Sequence, residues 1–294
     1  MRNRTWVLAL AVAGACAPMA VAPPPTTVIP QPIEPSTTST AISTSSTTTT
    51  ISSTTTTTLS VFARPAWLGT RPLPLRPDGH GEALPTPPEL VDRQLETRDL
   101  LPPPAGDGFE FTLGPVPDDV LARSSWTPDC PVTVEELSYL TLAHYGFDGL
   151  FHSGEMIVNA AFADEIVEVF RTLHKARFPI EQMRVIAAEE IDAHPTGDWN
   201  DTTSFVCRPA VGSNSWSQHA FGLAIDINPF HNPYVKGDLV LPELASAYVD
   251  RADVRPGMVV AGDVVTEAFD AIGWGWGGRW STLKDWMHFS HNGR

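Results

Sequence analysis

Apolar residues along this chain switch between two spacings. In "AAFADEIVEVFRTLHKARFP", Phe162, Ile166, Phe170 and Leu173 recur every three or four positions, and the run stops before Pro179. That spacing predicts an amphipathic helix. "CPVTVEELSYLTLAHYG" sets Thr133 three before Glu136, a capping box ahead of an apolar run, with Gly146 beyond it. It predicts a helix over 134–144. "DVVTEAFDAIGWGWGG" predicts another, ended by Gly273. Shorter runs predict strands: "MRVIAAEE" (183–190), "TSFVCRP" (203–209), "GLAIDINP" (222–229) and "WMHFSH" (286–291). Helices come first and short strands later, so the expected class is α+β, a small antiparallel sheet with packed helices.

The first 120 residues lack such patterning. Arg2 and Arg4 precede "WVLALAVAGA" (6–15), an apolar run of signal-peptide length and too short to span a bilayer. Residues 1–22 therefore read as an export signal. Small residues ahead of Cys16 resemble a lipoprotein cleavage site, which makes Cys16 a candidate for lipidation. Ordinary cleavage after "AVA" (20–22) is the alternative, weakened by the Pro23 that would come after the cut. Residues 23–60 form a tether. Within it, 21 of the 25 residues from 36 to 60 are Ser or Thr, too polar to bury a core, so disorder is expected. Residues 61–120 are Pro-rich and read as a linker or arm, with a folded domain over 121–294.

Composition then narrows the partners. The 294 residues are 42% hydrophobic, with a formal net charge of -15 and only three lysines, Lys175, Lys236 and Lys284. Phosphate contacts need basic side chains, so nucleic acid is an unsuitable partner. Export places the chain in an oxidising compartment, outside the cytoplasm, secreted or lipid-anchored. With Cys16 set aside, Cys130 and Cys207 are an even pair and a disulfide is the natural reading. Two free thiols or cysteine metal ligands are the alternatives, and no C-x-x-C spacing supports the latter.

The chemistry is concentrated in "WSQHAFGLAIDINP" (216–229). Along the strand, Leu223, Ile225 and Ile227 share one face and Ala224, Asp226 and Asn228 the other. His219 precedes the strand, in a segment loosened by Gly222. A histidine and a carboxylate converging on one cation suit Zn²⁺. An isolated H-x6-D is more often a packed histidine beside a capped strand. Third-ligand candidates are His231, His288 and His291. "KDWMHFSH" favours His288, because Asp285 three residues earlier could reach the attacking water if the chain bends at Trp286. His231 reads as ordering a loop. His152 and Glu155 read as hydrogen-bonding structure. The "GWGWGGRW" tryptophans (273–280) suit core packing, with stacking on glycan or peptide as the alternative.

"SQHAFGLAID" fits S-x-H-x-x-G-x-A-x-D, and "DWMH" fits acid-x-x-H downstream. In that order they resemble the zinc D-alanyl-D-alanine carboxypeptidases and L-alanyl-D-glutamate endopeptidases of bacterial cell-wall peptides, over about residues 120–294. The resemblance implies Zn²⁺ in a cleft, held by His219, Asp226 and His288. It implies Asp285 as general base, Arg208 facing substrate and oxyanion, and Ser217 contacting substrate. For Arg208 the bland reading is a salt bridge, and for Ser217 a turn cap. The implied partner is the peptidoglycan stem peptide, the implied state a monomer. An Asp rather than a Glu as base leans toward an endopeptidase. A zinc-containing but non-catalytic wall-binding domain is the alternative.

Overall fold

The computed structural model describes residues 62–294. The expected signal, tether and Cys16 lie outside the described residues. The Pro-rich segment from 62 onward packs against the later part of the chain. A short helix α1 (Pro88–Val91) buries Leu90, which clusters with Leu73, Leu95, Phe230, Leu244, Tyr248 and Met258. Arg93 is fully buried with it. Its guanidinium donates to both carboxylate oxygens of Glu181 at 2.7 and 2.8 Å and lies 4.4 Å over the Phe230 ring.

Strand β1 (Phe111–Pro115) and helix α2 (Asp118–Ala122) lead into a long antiparallel hairpin, β2 (Leu137–Tyr145) and β3 (Phe151–Asn159). The helix expected over 134–144 is therefore corrected to a strand. The Thr133–Glu136 capping contact does form, with the Thr133 amide donating to Glu136 at 2.8 Å, but it closes one 3-10 turn, Val134–Glu136. Leu140, Leu142 and His144 then alternate onto one buried face, a period-two pattern that the Leu spacing disguised. Gly146 ends the strand at the hairpin turn, its amide donating to the Leu150 carbonyl at 2.8 Å.

Helix α3 (Ala163–Lys175) matches its prediction and buries Ile166, Val167, Phe170 and Leu173. Strand β4 (Gln182–Met183) pairs in parallel with β5 (Asp201–Thr202), and helix α4 (Ala188–Ile191) lies between them. The strand expected over 183–190 thus shrinks to its first residue. Arg184 turns aside to pair with Asp201 and Glu190, and Glu190 caps the Ala187 amide. The strand expected over 203–209 is an extended segment with single bridges, Thr203 to Asp226 and Pro209 to Trp216.

The remaining elements build two more sheets. Strand β6 (Ala224–Asp226) sits in the order β6-β11-β9 with β9 (Gly275–Trp276) and β11 (His288–Ser290). Strands β7 (Tyr234–Lys236) and β8 (Leu239–Leu241) join β10 (Lys284–Asp285) in the order β10-β7-β8. Helix α5 (Val264–Ala271) ends before Gly273, whose φ of +77° suits glycine. The class is mixed helix and sheet, but with several small sheets rather than one, and strands precede the main helix. One core joins the hairpin, α3, α5 and the β6-β11-β9 sheet through Leu140, Met156, Ile166, Ile225, Phe269 and Phe289. Among the described residues, no helix is long and apolar enough to cross a membrane.

A candidate metal centre where two sheets meet

Two antiparallel strands place the first two side chains. In the register of β6 and β11, His288 faces Asp226 and Phe289 faces Ile225. Ile225 and Phe289 are fully buried in the core, so the alternation sends Asp226 and His288 together to the other face. His219 arrives from a 3-10 turn, Gln218–Phe221, that Ser217 caps by accepting from the His219 amide at 3.3 Å. Gly222 closes that turn with a φ of +64°, and a Cβ there would sit 2.5 Å from the Asn159 nitrogen. Both the conformation and the space demand glycine.

The three side chains converge. His219 Nε2 lies 3.2 Å from Asp226 Oδ2 and 3.2 Å from His288 Nδ1, and His288 Nδ1 lies 3.2 Å from Asp226 Oδ1. Among the described residues, this is the one group of three or more His, Cys, Asp or Glu whose ligand atoms lie within 4.8 Å of one another. All three are buried, at 2, 6 and 6% exposure for His219, Asp226 and His288. The His219 Nδ1–H donates to the Ser204 carbonyl at 2.6 Å, which fixes the tautomer and leaves the Nε2 lone pair facing the group. Two nitrogen lone pairs and a carboxylate crowded at 3.2 Å fit a divalent cation, and two His with one Asp suit Zn²⁺. Burial opposes ionisation of Asp226. The facing His219 and His288 overcome it and hold the carboxyl far below the usual range.

Asp285 comes from the neighbouring sheet. Its partner in β10–β7 pairing is Tyr234, while His288 three residues later belongs to β11. The chain bends at Trp286 and Met287 between them, as the spacing required. Asp285 Oδ1 is buried without a hydrogen-bond partner. Burial pushes this carboxyl up to about 7; the Asp226 charge adds to the rise, and His288 and Arg208 oppose it. Arg208 is thus within electrostatic reach of Asp285. It stands at the base of a hairpin closed by the Ser217 amide donating to the Arg208 carbonyl at 3.2 Å. The segment before it is pinned by Phe205 to Ile157, Val206 to His219, and the Cys207 amide to Ser125 Oγ at 3.0 Å. The Cys130–Cys207 disulfide, with Cα atoms 5.9 Å apart, completes that anchorage.

Other candidates fall elsewhere. His231 is buried away from the group, bonded to the Arg93 carbonyl at 2.9 Å and stacked on Phe147. His291 packs against Phe162 with ring centroids 4.4 Å apart. His152 sits between Asp99 and Asp148, and Glu155 between Arg123 and Tyr139. Ser217 shows its cap. A cavity of about 560 Å³ lies between β1, the Val134–Glu136 turn and α3, and another of about 360 Å³ beside Trp126 and Cys130. Neither is lined by the converging residues, so the expected cleft is not among them. Sequence reading missed the Ser204 carbonyl and Trp280, whose ring centroid lies 5.6 Å from that of His288. A backbone carbonyl leaves no sequence signal. The tryptophan in "GWGWGGRW" did, but its distance from the histidine was not readable.

Residues 211–291 match the family model described as D-alanyl-D-alanine carboxypeptidase. That match supports the zinc D,D-peptidase family. It encloses His219, Asp226, Asp285 and His288, and leaves Arg208 just outside. No curated protein and no solved structure matches the chain. The matched segment thus contains the whole metal-capable cluster and the acidic residue beside it.

Proposed function

We infer that the protein is a zinc-dependent peptidase that hydrolyses amide bonds of peptidoglycan stem peptides outside the cytoplasm. One observation carries the reading: His219, Asp226 and His288 converge within 4.8 Å, beside a half-buried carboxylate, Asp285, whose Oδ1 has no partner. Three protein ligands leave a fourth position open, the arrangement of catalytic rather than structural zinc. Zn²⁺ bound there would supply acidification of water and polarisation of the scissile carbonyl. Asp285, with its Oδ1 unpartnered beside the cluster, accepts the proton of the attacking water and passes it to the leaving amine. Arg208 faces the negative charge that develops on the carbonyl oxygen, worth about 3–4 kcal/mol for a single well-placed donor. Ser217 holds the turn that aims His219, and the family resemblance gives it a substrate contact as well. The acid being Asp leans toward an endopeptidase over a D,D-carboxypeptidase. Export of a monomer by the N-terminal signal, secreted or held by a lipid on Cys16, would bring this activity to the cell wall.

The test is digestion by the Zn²⁺-loaded full chain of purified peptidoglycan and of a D-Ala-D-Ala-terminated pentapeptide, with Asp285→Ala alongside. Release of product by the native chain alone supports the reading, and the product mass names the bond. Metal bound with neither substrate cut by either form would instead favour a wall-binding domain.

A further inference from the structure

The tryptophan–glycine loop is more than core packing. We propose that Trp276 and Gly277 are positioning residues that set the Asp285 carboxylate relative to the His219–Asp226–His288 cluster. The inference rests on the proposed function for its catalytic meaning, but its geometry stands apart.

Asp285 belongs to one sheet and the three ligand candidates lie on or beside another, so something must fix the two sheets to each other. Trp276 spans them. Its backbone pairs with Phe289 in β9–β11, and its indole Nε1–H donates to the Trp286 carbonyl at 2.8 Å, in the bend after Asp285. Gly277 touches Asp285 itself. A Cβ at Gly277 would lie 2.5 Å from the Asp285 carbonyl oxygen and 2.9 Å from the Asp285 Cβ. The glycine is needed there for close approach alone, since its φ lies outside the left-handed region. The Lys284 ammonium returns the contact, donating to the Gly278 and Trp280 carbonyls at 3.0 and 2.7 Å. Trp280 completes the brace by its nearness to His288 and by donating from Nε1 to the Gly293 carbonyl at 2.8 Å. The loop thereby contacts residues 284, 285, 286 and 288. β7 holds the opposite edge of β10. A displacement of about 1 Å in a catalytic group costs on the order of a hundredfold in rate.

The experiment uses the full chain with Trp276→Phe, Gly277→Ala and, as a control on a distant tryptophan, Trp67→Phe. Zn²⁺ affinity by chelator competition, amide hydrogen exchange of 284–286, and kcat and KM on the substrate found for the native chain are measured together. Expected is Zn²⁺ affinity within a few-fold of native in all three, faster exchange at 284–286 in the two loop variants only, and kcat down about tenfold in Trp276→Phe and about a hundredfold in Gly277→Ala, with KM little changed. Native kcat in both folded variants would overturn the proposal. So would loss of Zn²⁺ affinity in step with activity, which makes the loop a general support of the ligand sheet. If the native chain cuts nothing, the functional reading fails and exchange at 284–286 decides the geometric one: unchanged rates overturn it, faster rates uphold it.

Discussion

Two clusters built on buried histidines contain the same residue types and differ in how those residues are arranged. His219, His288 and Asp226 turn their ligand atoms toward one point. His144 and His152, cross-strand partners in the hairpin, have ring centroids 5.7 Å apart, with Asp99 and Asp148 close by. Yet His152 spends its two nitrogens on two separate carboxylates, at 2.8 and 3.1 Å. His144 has no hydrogen-bond partner on either nitrogen. The residue types are alike and the histidines are buried in both, but Asp99 is 45% exposed where Asp226 is buried, and only the His219 group converges. The Ser204 carbonyl makes that difference for His219 by accepting a hydrogen bond from Nδ1–H, which leaves the Nε2 lone pair free to face the group. A metal site is therefore a statement about where lone pairs point.

The comparison is broken most severely by exchanging a residue in each cluster. His288→Ala removes a ligand, and Zn²⁺ binding and peptidase activity are expected to fall at least a thousandfold. His152→Ala leaves bound metal unchanged and costs about 1–3 kcal/mol in denaturant unfolding, through the loss of its buried bonds. Metal analysis of the two variants side by side reads the contrast. Next in size is the buried Arg93–Glu181 pair. Arg93→Met leaves the Glu181 carboxylate, 1% exposed, without its bidentate donor. A loss of about 3–5 kcal/mol is expected by urea titration. Cys130→Ser with Cys207→Ser opens a cross-link over 77 residues. Loop-closure entropy puts that loss at about 4.5 kcal/mol, measured the same way.

Acid sharpens the comparison further. Burial presses His144 down to about 3 and His231 to about 4, from an ordinary value near 6.5. The unfolded chain binds these protons first. Their contribution to stability is whole above about pH 6.5 and is lost as pH falls toward 4 and 3. Each proton contributes about 1.4 kcal/mol per pH unit within its window. In the metal-free chain the raised Asp285 works in the opposite direction between its ordinary value of 3.8 and about 7, since its neutral form is favoured in the fold. Unfolding tracked from about pH 7 to about pH 4 should show a net fall in stability, and it should steepen in Asp285→Asn. His144→Phe should flatten it.

Much of the site was legible in the sequence, because it depends on short-range spacing. The alternation in "GLAIDIN" places Ile225 and Ile227 in the core and Asp226 opposite them, as found. The acid-x-x-H spacing required a bend, and the bend is there. The Cys130–Cys207 pair came from redox arithmetic. What was illegible is long-range. Two-residue strands such as β4 and β5 exist only through each other and have no periodicity to read. The run 137–145 carries leucines at spacings that suit a helix as well as a strand, and only β3 beside it decides for the strand. The Pro-rich segment shows nothing in its sequence of the Glu181 that Arg93 meets 88 residues later. Nor does "GWGWGG" reveal that Gly277 lies against Asp285.

The central claim is that His219, Asp226 and His288 form one open cation site with Asp285 beside it and not in it. Equilibrium Zn²⁺ binding to the metal-stripped full chain, compared with His219→Ala and Asp285→Asn, tests it most directly. The expected result is one Zn²⁺ per native chain, the same stoichiometry and near-native affinity in Asp285→Asn, and none in His219→Ala. Unchanged binding in His219→Ala, or loss of binding in Asp285→Asn, would contradict it.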